Sequence, residues 1–143
     1  MQSNPPFSIY DTELGKLLFK IKNNEIESFK PLVVTSSKSL SVNEFAQALI
    51  NGLIVDCSSG DITLTFPAAN KLIEVLGGLI NTLSFLSVTT FTSSLPSTNK
   101  VTFNTGPGGF FQQDQTTLDI DANSVVTLGV TIYSVSPPKL VLG

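Results

Sequence analysis

The run Ile62-Thr63-Leu64-Thr65-Phe66-Pro67-Ala68-Ala69-Asn70-Lys71-Leu72-Ile73-Glu74-Val75-Leu76-Gly77-Gly78 constrains this chain most, because two periodicities meet in it with clear punctuation. Residues 62–66 alternate apolar side chains with Thr, the two-residue period of a strand with one buried face. Pro67 has the fixed φ that suits a first helical position. Ala68 to Leu76 are mostly good helix formers, and Gly77-Gly78 supplies a left-handed stop. A short helix docked at the end of a sheet is a signal about fold and carries no chemistry.

A second short helix is predicted upstream. Ser41-Val42-Asn43-Glu44 reads as a capping box, with Phe45, Ala48 and Leu49 on one face and Asn51-Gly52 at the end. Leu53–Asp56 reads as a strand, residues 58–61 as a turn, and Ile62–Phe66 as the return strand. Residues 83–91 alternate only loosely, as a strand covered on both sides would. Val101–Phe103 is a short strand leading into Thr105-Gly106-Pro107-Gly108-Gly109, a glycine-rich hairpin turn. Closing strands follow at 117–120 and 125–135, and residues 137–143 form an apolar tail that needs a surface to lie on. No internal repeat is evident. Short strands at close spacing with Gly and Pro turns predict a mainly β fold, a β-sandwich of jelly-roll type carrying two short helices.

The N-terminal part reads differently. Residues 1–12 are rich in Pro, Ser and Asn and predict an extended arm, and residues 17–30 predict a hairpin turning at Asn23-Asn24. In that register Lys22 faces Glu25, Ile21 faces Ile26 and Lys20 faces Glu27, so charge pairs line one face and apolar residues the other. A two-stranded hairpin is marginal alone. The division is therefore an N-terminal arm and hairpin, 1–38, and a body, 39–143. Phe19, Ile21, Ile26 and Phe29 must bury against the body or another subunit. The helical stripe Leu72, Ile73, Val75 and Leu76 is wider than one face of a surface helix needs; core packing explains most of it and a subunit contact the rest. Phe19, Ile21, Ile26, Phe29, Leu72, Ile73 and Leu76 are thus the candidate oligomer or partner contacts.

Composition narrows the function classes. The 143 residues include only 13% charged side chains, about half the usual share, and such a surface is more often covered by neighbours than by water. All eight basic residues are Lys, and the net charge is +1 up to residue 38 and −4 beyond it. Without guanidinium forks, and with an acidic body, the chain is a poor reader of nucleic acid and a poor ligand for an anionic membrane surface. No apolar run approaches a membrane span, no hydrophobic leader opens the chain, and no Asn-x-Ser/Thr acceptor occurs. The expectation is a protein made and folded in a reducing compartment, without membrane insertion.

Chemistry finds little to work with. Histidine is absent, which removes the triads and dyads that use it as a base and the common zinc sites. Cys57 is the single cysteine, flanked by strand residues, and reads as a small core side chain. Asp119-Ile120-Asp121-Ala122-Asn123 opens like a calcium loop, but Ser124 stands where glycine is needed and Val130 where a bidentate Glu belongs. Gly106–Gly109 lacks the Lys-Ser/Thr of a phosphate cradle. Glu25 and Glu27 lie opposite lysines, which suits solvated pairing more than glycosidase work. No catalytic, cofactor-binding or metal-binding residue is assigned. Phe110, Phe111, Gln112 and Gln113, in the segment after the glycine turn, are the candidates for recognition by a loop.

From about Leu40 to Tyr133 the order of motifs resembles a group of small virion-type proteins of large double-stranded DNA viruses of protists and of bacteriophages. The shared pattern is a capped helix, then Gly-Leu-Ile-Val-Asp at residues 52–56, then a strand closing on Leu64-Thr65-Phe66-Pro67-Ala68-Ala69 before a helix with Leu72-Ile73. Ser84-Phe85, Val101-Thr102-Phe103, the turn Thr105–Gly108 and final strands after Asn123-Ser124 follow in order. Where the pattern has Gly-Asp before the Ser-Phe pair, this chain has Asn81-Thr82-Leu83. The resemblance implies a non-enzymatic, trimeric capsid, cement or fibre-head component that associates with itself and with other capsid proteins in the virion. The alternative is a receptor- or glycan-binding head of a spike or fibre.

Overall fold

The structure, a computed structural model, describes residues 30–76, 83–95 and 98–143. In chain order the elements are β1 (Leu32–Val34), β2 (Lys38–Ser39), α1 (Val42–Asn51), β3 (Leu53–Asp56), β4 (Ile62–Thr65), α2 (Ala69–Val75), β5 (Leu83–Phe91), β6 (Lys100–Asn104), β7 (Gly109–Phe111), a 3-10 turn at Gln112–Asp114, β8 (Thr117–Asp121), β9 (Val125–Ser134) and β10 (Lys139–Leu142). The fold is mainly β, with two short helices. A six-stranded sheet runs β1-β3-β5-β9-β10-β7, and a four-stranded sheet runs β2-β4-β6-β8. Both contribute to one apolar core. Residues 17–29 of the predicted hairpin, with Phe19, Ile21, Ile26 and Phe29, lie outside the described residues, as do Gly77 and Gly78.

Connectivity departs from the jelly-roll expectation. Jelly rolls belong to the antiparallel architectures, whereas β1, β3 and β5 pair in parallel in one sheet, and β2, β4 and β6 pair in parallel in the other. The chain visits the two sheets alternately: β1 then β2, β3 then β4, β5 then β6. Parallel neighbours cannot be joined by a tight turn, and here each crossover passes through the opposite sheet and then, twice, through a helix. A β-β-α unit therefore recurs in the topology, although its spacing varies too much to show as a sequence repeat. Two apparent hairpins are corners for the same reason. The turn at 58–61 carries the chain from β3 to β4 across the core, and the glycine turn carries it from β6 to β7. Antiparallel strands close the coil, β8 against β6 and β9 against β5.

Inward rows follow from register. Leu32, Leu53 and Val88 align across β1, β3 and β5, and Val126 of β9 stands opposite Val88. Phe66, just past β4, ties the elements together. Its ring meets Phe45 of α1 edge-on at 5.2 Å, stacks on Phe103 of β6 at 5.2 Å and lies 6.4 Å from Phe111 of β7. Each such pair adds about 0.5–1.5 kcal/mol beyond area burial. The tail predicted to seek a surface finds it in its own sheet. Leu140 and Leu142 are buried where β10 pairs with β9 and β7. Likewise, β1 and β2 belong to the sheets, so the fold begins inside the segment 1–38 set apart as an arm.

Helix ends show which local signals held. Ser41 Oγ accepts from the Glu44 N–H at 3.1 Å while Glu44 Oε1 accepts from the Ser41 N–H at 3.0 Å, a complete capping box. Gly52, at φ +97, ends α1, and its N–H donates to the Ala48 carbonyl at 2.8 Å. Pro67 is not the first residue of α2. The helix begins at Ala69 with Ala68 as a cap that has no side-chain acceptor. The Ala69 N–H instead donates to the Pro107 carbonyl at 2.8 Å. The glycine turn thus acts as a tertiary cap, and a Cβ on Gly106 would stand 2.6 Å from the Phe66 carbonyl oxygen.

The N-terminal capping box of α1 also carries charge. Burial pushes the Glu44 carboxyl up, but the Lys38 ammonium bonded to it, the Ser41 N–H and the Ser41 hydroxyl together hold it below its ordinary 4.5. A carboxyl lowered by folding stabilises the native state above its unfolded pKa and loses that contribution as pH falls through the folded value. Urea titrations at pH 7 and pH 3 are expected to show a smaller pH effect in Glu44→Gln, which keeps an acceptor at the same position. Ser41→Ala is expected to cost about 1 kcal/mol at neutral pH.

Candidate interaction surface

Strand alternation decides which side chains face outward. On the outer face of the six-stranded sheet, Val33, Ile54, Thr89 and Val125 form one row across β1, β3, β5 and β9. Phe85 stands opposite Gly129, and Phe91 opposite Asp56. Phe85 is 59% exposed, Val125 74% and Tyr133 64%. β5 is therefore covered on its inner side only, by Leu86, Val88 and Thr90, against the expectation of cover on both. The row Thr131-Val141-Phe110 continues this face over β9, β10 and β7.

At that margin a cleft of about 350 Å³ opens between Phe110, Gln112, Asp114, Tyr133, Lys139 and Val141. Two aromatic rings, an amide, a carboxylate and an ammonium converge on one concavity, a chemistry that suits binding through ring faces and hydrogen bonds. The sequence reading anticipated Phe110 and Gln112 here. It missed Tyr133, Lys139 and Val141, which lie on β9 and β10 and arrive only through strand pairing. Phe111 also lines the cleft, although β7 turns its ring inward against Phe66, where it is largely buried. Gln113 lies on the 3-10 turn.

Of the two readings of the helical stripe, core packing is the one the structure bears out. Leu72 (1% exposed), Ile73 (6%) and Leu76 (7%) are spent on the chain's own core and offer no area to a partner. The apolar excess of α2 exists because the helix packs against β10 and α1 instead of lying on a surface.

The end of the fold that gathers residues 56–61, 92–95, 98–99 and 121–124 is polar, and its groups bond to one another. Asn99 Nδ2 donates to the Cys57 carbonyl at 2.8 Å, the Ser93 N–H to Ser58 Oγ at 2.8 Å, and the Thr92 N–H to Asn123 Oδ1 at 3.1 Å. The buried Thr90 hydroxyl donates to the Asp121 carbonyl at 2.6 Å and accepts from the Ser124 N–H at 2.9 Å. The Ser58 hydroxyl and N–H hold the Asp56 carboxyl below its ordinary value. Asp119, on β8, accepts from the Thr102 hydroxyl through Oδ1 at 2.8 Å. Among the described residues no group of three His, Cys, Asp or Glu is placed to hold a metal ion. No described helix is long and apolar enough to cross a membrane.

Comparison with protein families, with curated proteins and with solved structures returns no match.

Cys57 is fully buried, and desolvation first, then Asp56 and Asp61, push its thiol up. The thiolate is the reactive form. A disulfide reagent at pH 8 is expected to leave the native protein unlabelled and to modify one thiol per chain once denaturant is added. Stoichiometric labelling before unfolding would place the thiol in a reactive setting instead.

Proposed function

We propose that this chain is a non-enzymatic structural component of a virus particle, of the capsid, cement or fibre-head kind, that works by self-association and by contact with other capsid proteins. The observation that carries the reading is the outer face of the six-stranded sheet, where Val33, Phe85, Val125 and Tyr133 stand exposed on a rigid layer. Large apolar side chains set among Ser and Thr on one sheet face are the side chains a partner would cover. The two sheets on one core are read as a sandwich whose inner layer fixes the shape and whose outer layer meets partners. A trimer is the favoured assembly, formed after synthesis in the host cytoplasm, without secretion or membrane insertion. The described titratable groups with shifted pKa values sit in a helix cap, a turn and the core, and do not converge in one cleft as an acid–base pair does. Sedimentation velocity at micromolar concentration is expected to give a discrete oligomer that Phe85→Asp with Val125→Asp weakens. A monomer across the whole concentration range would remove this reading.

The aromatic cleft favours a second reading, a receptor- or glycan-binding head. Ring faces of Phe110 and Tyr133 with the polar tips of Gln112, Asp114 and Lys139 match the amphipathic faces of a sugar. On a glycan array this reading expects a confined set of hits that Tyr133→Ala abolishes. An array without hits would leave the cleft to protein contacts.

A further inference from the structure

The two sheets are unequal, and the inequality leaves an edge unfilled. β9 follows β8 through a three-residue turn, while β10 and β7 extend the six-stranded sheet past the last strand of the four-stranded one. Among the described residues β8 has a strand neighbour, β6, on one side only. Beside its other edge lies a groove of about 370 Å³, lined chiefly by Phe111, Leu118, Val126, Leu128 and Leu142. An open strand edge next to an apolar groove is the geometry that accepts an added strand, with backbone hydrogen bonds along the edge and alternate side chains in the groove.

The alternation of β8 specifies the strand that fits. In Thr117-Leu118-Asp119-Ile120-Asp121, Leu118 and Ile120 turn to the core while Thr117, Asp119 and Asp121 are exposed on the outer side. The complement is a strand with apolar residues alternating with cations. The chain contains one in the 29 residues that precede the described fold: Leu18-Phe19-Lys20-Ile21-Lys22. With Ile21 beside Ile120, either strand direction sets Lys20 and Lys22 against Asp119 and Asp121. Lys100 already faces Asp121 from β6, so the outer surface would carry cations on both flanks of the acidic strand, an arrangement that cross-strand pairing favours.

Chain length decides whose segment it is. If residues 17–30 form the predicted hairpin, only Lys30 and Pro31 separate it from β1, and the Lys30 carbonyl is held by the Gln47 side chain at 3.1 Å. β1 is three strands from β9 in the sheet order, roughly 14 Å at ordinary strand spacing, and β8 lies across the core from there. Two residues reach at most about 7 Å. The hairpin cannot serve its own β8. We propose that the segment 18–22 of one copy adds as a strand to β8 of a second copy, filling the groove with Phe19 and Ile21 and pairing its lysines with Asp119 and Asp121.

The inference rests on self-association and deepens it, and its test separates the two. In full-length protein, Lys20→Asp with Lys22→Asp is expected to dissociate the oligomer at least tenfold more readily, and adding Asp119→Lys with Asp121→Lys is expected to restore it. Zero-length carbodiimide coupling of a mixture of unlabelled and 15N-labelled protein is expected to yield mixed-isotope peptides joining Lys20 or Lys22 to Asp119 or Asp121. An oligomer that survives the charge reversal overturns the strand exchange and leaves self-association standing, with Asp119 and Asp121 serving only to keep an edge soluble. Cross-links confined to one isotope overturn it in favour of an intrachain strand. A monomeric parent protein overturns both.

Discussion

Parallel pairing between strands that follow one another at short intervals is the constraint on which the rest of this structure depends. A parallel neighbour demands a crossover, and in this chain the crossovers β1 to β3 and β3 to β5 each take in a strand of the other sheet as well as a helix. The chain uses the opposite sheet as the return path. Side chains from both sheets then meet in one apolar core. The helices α1 and α2 occupy the passage from the four-stranded sheet back to the six-stranded one. Phe66 sits at the head of that passage, which is why one ring touches side chains from α1, β6 and β7.

The fold also sets where function can reside. Its inner surfaces are consumed by packing, its turn-rich end is closed by hydrogen bonds among Cys57, Ser58, Thr92, Ser93, Asn99 and Asn123, and its helical end is capped by the glycine turn. What remains among the described residues is the outer face of the larger sheet, the cleft at its β7 margin and the groove beside β8. They are adjacent because the six-stranded sheet outgrows its partner: Phe111 lines both the cleft and the groove, as does Gln112.

Legibility followed the range of the interaction. The capping box of Ser41 and Glu44, the stop at Gly52, and the strands 53–56 and 83–91 depend on residues within a few positions of one another, and they stand where the pattern placed them. Pro67 misled because the start of α2 is decided by the carbonyl of Pro107, about forty residues on. Phe110 and Gln112 were recognisable as neighbours of a turn, whereas Tyr133 and Lys139 reach the same cleft only through the pairing of β9, β10 and β7.

The sequence by itself determined the mainly β class, the two short helices and the absence of histidine and arginine chemistry, because periodicity, caps and composition are local or additive quantities. Only the tertiary structure decided that consecutive strands alternate between sheets, that the stripe of Leu72, Ile73 and Leu76 is core, and that the apolar tail is a strand. The physical reason is that strand alternation tells which side of a strand is buried but not which neighbour buries it. Direction and partner are chosen by the collective filling of one core, and that choice has no signature within any single segment.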